Sequence, residues 1–108
     1  MSDPDPTHIR NEEDAEGGTF VLEHEGRRIG ELTYVARPDG SIVIDHTGVR
    51  PEFGGRGLAR DLLQAAVEWA RATGTKVRAT CPYARAQFDK DPALRDVLAE
   101  PEIGRAHV

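Results

Sequence analysis

The sequence predicts an α/β fold of the α+β kind: a mixed sheet, an antiparallel meander plus a parallel strand pair, around one main helix, with short C-terminal helices. Three observations predict it. From Thr19 to Val49 apolar and polar residues alternate at the strand period, interrupted by turn residues; from Arg56 to Thr73 the period becomes helical; from Thr75 to Cys81 alternation returns. A strand that follows a crossover helix normally runs parallel to the strand before it.

The first sixteen residues hold Asp3, Asp5, Glu12, Glu13, Asp14 and Glu16 against a single base, Arg10, and little apolar content. They read as an acidic, solvated, flexible arm in which Ile9 is suited to pair onto a sheet edge, with the folded domain running from 17 to 108. The first strand is Thr19 to Glu25, broken at Glu25-Gly26, and the second is Arg28 to Arg37, carrying Ile29, Leu32, Tyr34 and Val35. Pro38-Asp39-Gly40 supplies a hairpin turn, since proline pre-sets its φ and glycine accepts the left-handed position. In the third strand, Ser41 to Val49, Ile42, Ile44 and His46 fall on one face and Val43, Asp45, Thr47 and Val49 on the other.

The helix places Leu58, Ala59, Leu62, Leu63, Ala66, Trp69 and Ala70 on one stripe, and Gly74 stops it. The fourth strand, Thr75 to Cys81, points Val77, Ala79 and Cys81 inward. Tyr83 to Phe88 reads as a short helix. Asp91-Pro92 then gives an N-cap and a first-turn proline to a second one with Leu94, Val97 and Leu98, ended by Pro101.

A chain of 108 residues has the length of one domain, and with 38% hydrophobic and 31% charged residues it is too polar for a membrane span. The net charge of −5 resides in residues 1 to 16, leaving 13 acids balanced by 13 bases in the rest. No basic field is available for nucleic acid or an anionic membrane. A single cysteine, Cys81, excludes an intrachain disulfide and a multi-cysteine zinc centre, so no metal is expected. No basic start precedes an apolar run, which makes the cytoplasm the expected location. His8, His24 and His107 stand in no motif and read as surface residues.

The entry to the helix departs from ordinary capping chemistry. It reads Phe53-Gly54-Gly55-Arg56-Gly57-Leu58-Ala59-Arg60, with no Ser, Thr, Asp or Asn to cap it. Glycine inside a helical turn costs about 0.8–1 kcal/mol relative to alanine, and a base at the positive end of the macrodipole costs roughly 0.3–1 kcal/mol. An anion resting on the first turn accounts for all of these features: glycines open the backbone N–H groups, the dipole favours negative charge, and Arg56 and Arg60 add partners. The ordinary alternative is a glycine-rich strand-to-helix loop.

The string Val49-Arg50-Pro51-Glu52-Phe53-Gly54-Gly55-Arg56-Gly57-Leu58-Ala59, after a strand and before an amphipathic helix, resembles the acetyl-coenzyme A motif of the GNAT acetyltransferase superfamily. That motif is written Arg/Gln-x-x-Gly-x-Gly/Ala. Gly57 and Ala59 match its last fixed positions, whereas Gly54 stands where it has Arg or Gln. With His46-Thr47, Cys81-Pro82-Tyr83, Phe88 and Asp91-Pro92, the chain is similar from about Arg10 to Leu98 to minimal, single-domain members.

The resemblance implies a GNAT-like mixed sheet and acetyl transfer from acetyl-coenzyme A to an amine. It implies a pyrophosphate on Gly54, Gly55, Arg56, Gly57, Leu58, Ala59 and Arg60, and a pantetheine arm where two parallel strands splay, lined by the backbone of Thr47 and Val49. Family members usually protonate the departing thiolate with a tyrosine on the helix after the second splayed strand; here Phe88 is near that place and Tyr83 precedes it. In the minimal subgroup a histidine and a cysteine are held to act in catalysis, which would be His46, as the base for the amine's proton, and Cys81, as thiolate acid or acetyl acceptor. Cys81 could equally pack in the core, and Tyr83 could fill it. The resemblance leaves few residues to cover the acceptor, so an open cleft is expected, fitting a protein, a peptide, a polyamine or a site completed by a second subunit. The competing readings are a non-catalytic coenzyme A-binding module and a small interaction domain that uses the acidic arm.

Overall fold

The computed structural model describes residues 7–99. Five strands, β1 (Thr7–Asp14), β2 (Gly17–His24), β3 (Arg27–Ala36), β4 (Ile42–Val49) and β5 (Val77–Ala79), form one sheet in sequence order. The first four are antiparallel and β5 is parallel to β4. The crossover from β4 to β5 carries a 3-10 turn at Pro51–Phe53 and helix α1 (Leu58–Thr73); helix α2 (Pro82–Lys90) and a 3-10 turn at Pro92–Val97 follow β5. The mixed-sheet α+β architecture is the one the alternation and helical periods predict.

The first difference lies in the acidic segment. Residues 7–14 are an edge strand rather than a solvated arm, paired with β2 from Thr7 opposite His24 to Asp14 opposite Gly17. Composition reports how a side chain is solvated, and an edge strand needs little burial once its backbone is paired. Ile9 packs against the core, the Tyr34 hydroxyl donates to Asn11 Oδ1 at 2.9 Å, and Arg10 bridges Glu12 and Glu23. Residues 1–6, the expected helix stop at Pro101, and His107 lie outside the described residues.

The second difference decides where the site residues point. On β4, Ile44 pairs with Tyr34 and His46 with Thr33, so Asp45 is an extra residue in a bulge, its carboxylate accepting from the Thr33 hydroxyl. A bulge restarts the alternation one residue late. Ile42 and Ile44 face the helix as expected, but Thr47, opposite the buried Leu32, continues their face, and His46 turns to the other side.

Helix α1 starts at Leu58, two residues later than the periodicity suggests, and buries Leu62, Leu63, Ala66, Val67 and Ala70. Complete burial of Leu62 and Leu63 contributes about 1.5–3 kcal/mol each. Trp69, at the margin, meets the Phe20 ring edge-on and the Tyr34 ring at a tilt. Gly74, left-handed with φ 72°, donates to Ala70 O and ends the helix as expected. Asp91 caps as read from the sequence, accepting the Ala93 N–H at 3.0 Å, but the element it starts is a 3-10 turn. Leu98 bridges Val77 and Ala99 donates to Val77 O, which covers the outer edge of β5. No helix among the described residues is long and apolar enough to cross a membrane.

Gly17 joins β1 to the meander at φ 148°, where an added Cβ would lie 2.1 Å from the Tyr34 carbonyl oxygen. Gly17→Ala therefore forces backbone apart, and urea unfolding should show a loss of about 3 kcal/mol; an unchanged midpoint would contradict the packing described.

Candidate active site

Strands β4 and β5 pair only between Ile42–Ile44 and Val77–Ala79. The Ile44 carbonyl accepts both the Thr80 N–H, at 2.9 Å, and the Cys81 N–H, at 3.2 Å, and there the parallel ladder stops. Pro82, with no N–H to offer, turns the chain into α2. Cys81 is thus the N-cap of α2 and not the last strand residue that its alternation suggests. Beyond Ile44, β4 keeps β3 on one side only. Arg50 donates to Ile29 O on β3, so the alternation of an extended strand sends the N–H and C=O groups of Thr47 and Val49 to the opposite edge, into the gap.

The start of α1 closes one end of the crossover. Gly55 and Gly57 are left-handed, with φ of 79° and 76°, and Gly57 is the N-cap. These glycines precede the helix, so they impose no helix-interior penalty; they set the direction of entry. Gly54 is extended, with its N–H on Pro51 O at 3.0 Å, a conformation open to any residue, so the backbone does not explain its departure from the family motif. No side chain caps α1, and among the described residues the N–H groups of Leu58, Ala59 and Arg60 have no acceptor. The Arg56 guanidinium lies 5.2 Å above the Phe53 ring, and Phe53 in turn meets the ring of His24 edge-on. His24 is therefore a packing residue under this loop, not the surface residue expected. Arg60 reaches Asp91 Oδ2 at 3.1 Å.

On the helix side of the gap Cys81 is 4% exposed and its thiol donates to Thr47 Oγ1 at 3.6 Å. Tyr83 is half-buried in the first turn of α2. Burial raises its pKa, the Arg60 charge opposes this, and Asp61 and Cys81 add to the rise. The phenol therefore stays protonated at neutral pH. Phe88 is buried and only packs.

His46 lies on the other face. Its Nε2 is 3.1 Å from Glu31 Oε2, and the side chain is 54% exposed. With Arg28, Gly48, Val49 and Arg50, these two line a concavity of about 440 Å³ between β3 and the end of β4. The structure thus brings Cys81, Thr47 and Tyr83 together on one side of β4 and sets His46 apart on the other, with the strand backbone between them. The sequence reading did not single out Glu31 or the Thr47 hydroxyl, and it read Asp91 as a cap without its contact to Arg60. Glu31 becomes visible only once the bulge at Asp45 fixes the register.

Comparison with known proteins identifies the family to which this strand gap and uncapped helix start belong. The model of the GCN5-related N-acetyl-transferase family matches residues 19–97. This chain belongs to that family of enzymes, whose co-substrate is acetyl-coenzyme A. A GCN5-like protein of Staphylococcus aureus, described as an N-acetyltransferase and solved by NMR, is 33% identical, with a TM-score of 0.70 over 95% of this chain and 98% of its own. An aminoglycoside N-acetyltransferase crystallised with coenzyme A shares the fold at 17% identity, with a TM-score of 0.58 over 92% of this chain and 93% of its own. So does a family member from Elizabethkingia anophelis with acetyl-coenzyme A bound, at 14% identity and a TM-score of 0.62, over 80% and 72%. Among functionally curated proteins no match was found.

Tyr34 and Tyr83 both have raised pKa values, burial being the first cause in each. The unfolded chain releases phenolic protons near pH 10, before the folded chain does, so this stabilisation is complete below about pH 10 and is lost as pH rises through the folded values. Thermal unfolding of a Tyr34→Phe, Tyr83→Phe double variant should show a shallower loss of Tm between about pH 9 and pH 11 than the parent; identical slopes would contradict the burial of these hydroxyls.

Proposed function

We propose that this chain transfers the acetyl group of acetyl-coenzyme A to an amine of a protein, a peptide or a small molecule, with the pyrophosphate on residues Gly54 to Arg60. The observation that carries the reading is the set of three helix-start N–H groups without acceptors among the described residues, next to a strand edge that β5 has left unpaired. Phosphate oxygens accept such N–H groups, the helix dipole adds to the attraction, and Arg56 and Arg60 extend it. The pantetheine arm then takes the place of a missing strand, hydrogen-bonded to the backbone of Thr47 and Val49 as β5 would have been.

The chemistry follows from the two sides of β4. The amine nitrogen bonds to the thioester carbon, the C–S bond breaks, and the electron pair leaves on sulfur. A backbone N–H of the open β4 edge stabilises the carbonyl oxygen as charge builds on it. Tyr83, protonated and on the helix side, gives its proton to the departing thiolate, with the Cys81 thiol next to it as a second donor. His46, on the opposite face, takes the proton that the attacking amine loses. Holding two reactants in register supplies most of the rate.

Calorimetry with coenzyme A and thiol release from acetyl-coenzyme A across an amine panel test this. Arg60→Ala should weaken coenzyme A binding about 3–10-fold, and Tyr83→Phe should lower kcat by roughly 10²-fold with binding retained. No heat at millimolar coenzyme A would overturn the reading; binding with no turnover on any amine would leave only a coenzyme A-binding module.

A further inference from the structure

We infer that Glu31 is a positioning residue for His46, fixing which ring nitrogen takes the proton of the acceptor amine. The inference rests on the role proposed above for His46, and three observations lead to it. His46 Nε2 lies 3.1 Å from Glu31 Oε2. The other carboxylate oxygen, Oε1, lies 4.0 Å from Arg28 Nε, so Glu31 is held between a guanidinium and an imidazole. Gly48, two residues along the same face, leaves the space in which the ring lies: an added Cβ would be 3.1 Å from His46 Nε2 and 3.3 Å from Cε1.

An ionised carboxylate only accepts hydrogen bonds. A neutral His46 must then carry its proton on Nε2, donated to Glu31, which leaves the lone pair on Nδ1. Nδ1 has no partner among the described residues, and the side chain is more than half exposed. The amine's proton goes to Nδ1, and the resulting imidazolium is stabilised by the carboxylate on its far side, as second groups orient catalytic histidines elsewhere. Glu31 itself touches neither reactant. Its contribution is the tautomer and the angle of the ring.

The test uses the full chain labelled with ¹⁵N, in which histidine ring nitrogens report the tautomer directly, alongside steady-state kinetics with an accepted amine. The parent should show His46 as the Nε2–H form. Glu31→Gln, whose amide can either donate or accept, should convert it to a mixture and lower kcat about tenfold while the KM for acetyl-coenzyme A stays the same. Gly48→Ala, which pushes the ring off Glu31 without removing the carboxylate, should shift both readouts in the same direction. Glu31→Asp should restore part of the Nε2–H signal. In a His46→Ala background, Glu31→Gln should add no further loss. An Nδ1–H or mixed tautomer in the parent, or a Glu31→Gln variant with unchanged kcat, would overturn the inference. If the parent binds coenzyme A and turns over no amine, the functional reading has failed, and the tautomer experiment alone decides whether Glu31 fixes the ring.

Discussion

One carbonyl with two donors governs this molecule. Ile44 O accepts from Thr80 and from Cys81, and no further N–H follows because the next residue is Pro82. The parallel ladder ends after three residues a side, while β4 continues for another five with no strand among the described residues on that edge. An unpaired stretch of β-backbone is a template for something extended. The same ending pulls Cys81 into the core, starts α2, and brings Tyr83 within reach of the charges at the beginning of α1. If pairing ran one register further, none of these groups would meet.

The bulge at Asp45 makes the second division. It gives β4 two chemically different sides just where the gap opens: Thr47, Cys81 and Tyr83 towards the helices, Glu31 and His46 towards solvent. The strand backbone separates them, so in the mechanism we propose the two proton transfers fall to groups on opposite sides of β4. A helix start with glycine at the N-cap in place of a capping side chain gives up roughly a few tenths of a kcal/mol of local stability. That is a modest sacrifice for a domain whose core is tied together by α1, the sheet and the aromatic cluster of Phe20, Tyr34 and Trp69.

Much of this architecture can be read from residue order alone, and the reasons it stops there are physical. The α1 stripe, its end at Gly74 and the turn at Pro38-Asp39-Gly40 are local features, set by neighbours within a few residues, and the structure contains them all. The glycine-arginine entry stood out because it breaks capping rules that most helices keep. Of edge strand β1 only Ile9 gave a sign, and the acids masked the rest, since pairing at a sheet edge leaves almost no trace in hydropathy. The bulge was hidden because period-two alternation carries no sign of an inserted residue, and with it went the true face of His46 and its contact with Glu31. Register is a property of two strands, and a sequence shows them one at a time.

The account stands on the open amides of the α1 start and the vacant edge of β4 acting as one diphosphate and pantetheine seat. Backbone amide NMR during a coenzyme A titration tests that most directly. The account predicts the largest proton and nitrogen shifts at Leu58, Ala59 and Arg60, with a second group at Thr47 and Val49, saturating together. Shifts centred anywhere else on the sheet, or saturation of one group without the other, would contradict it.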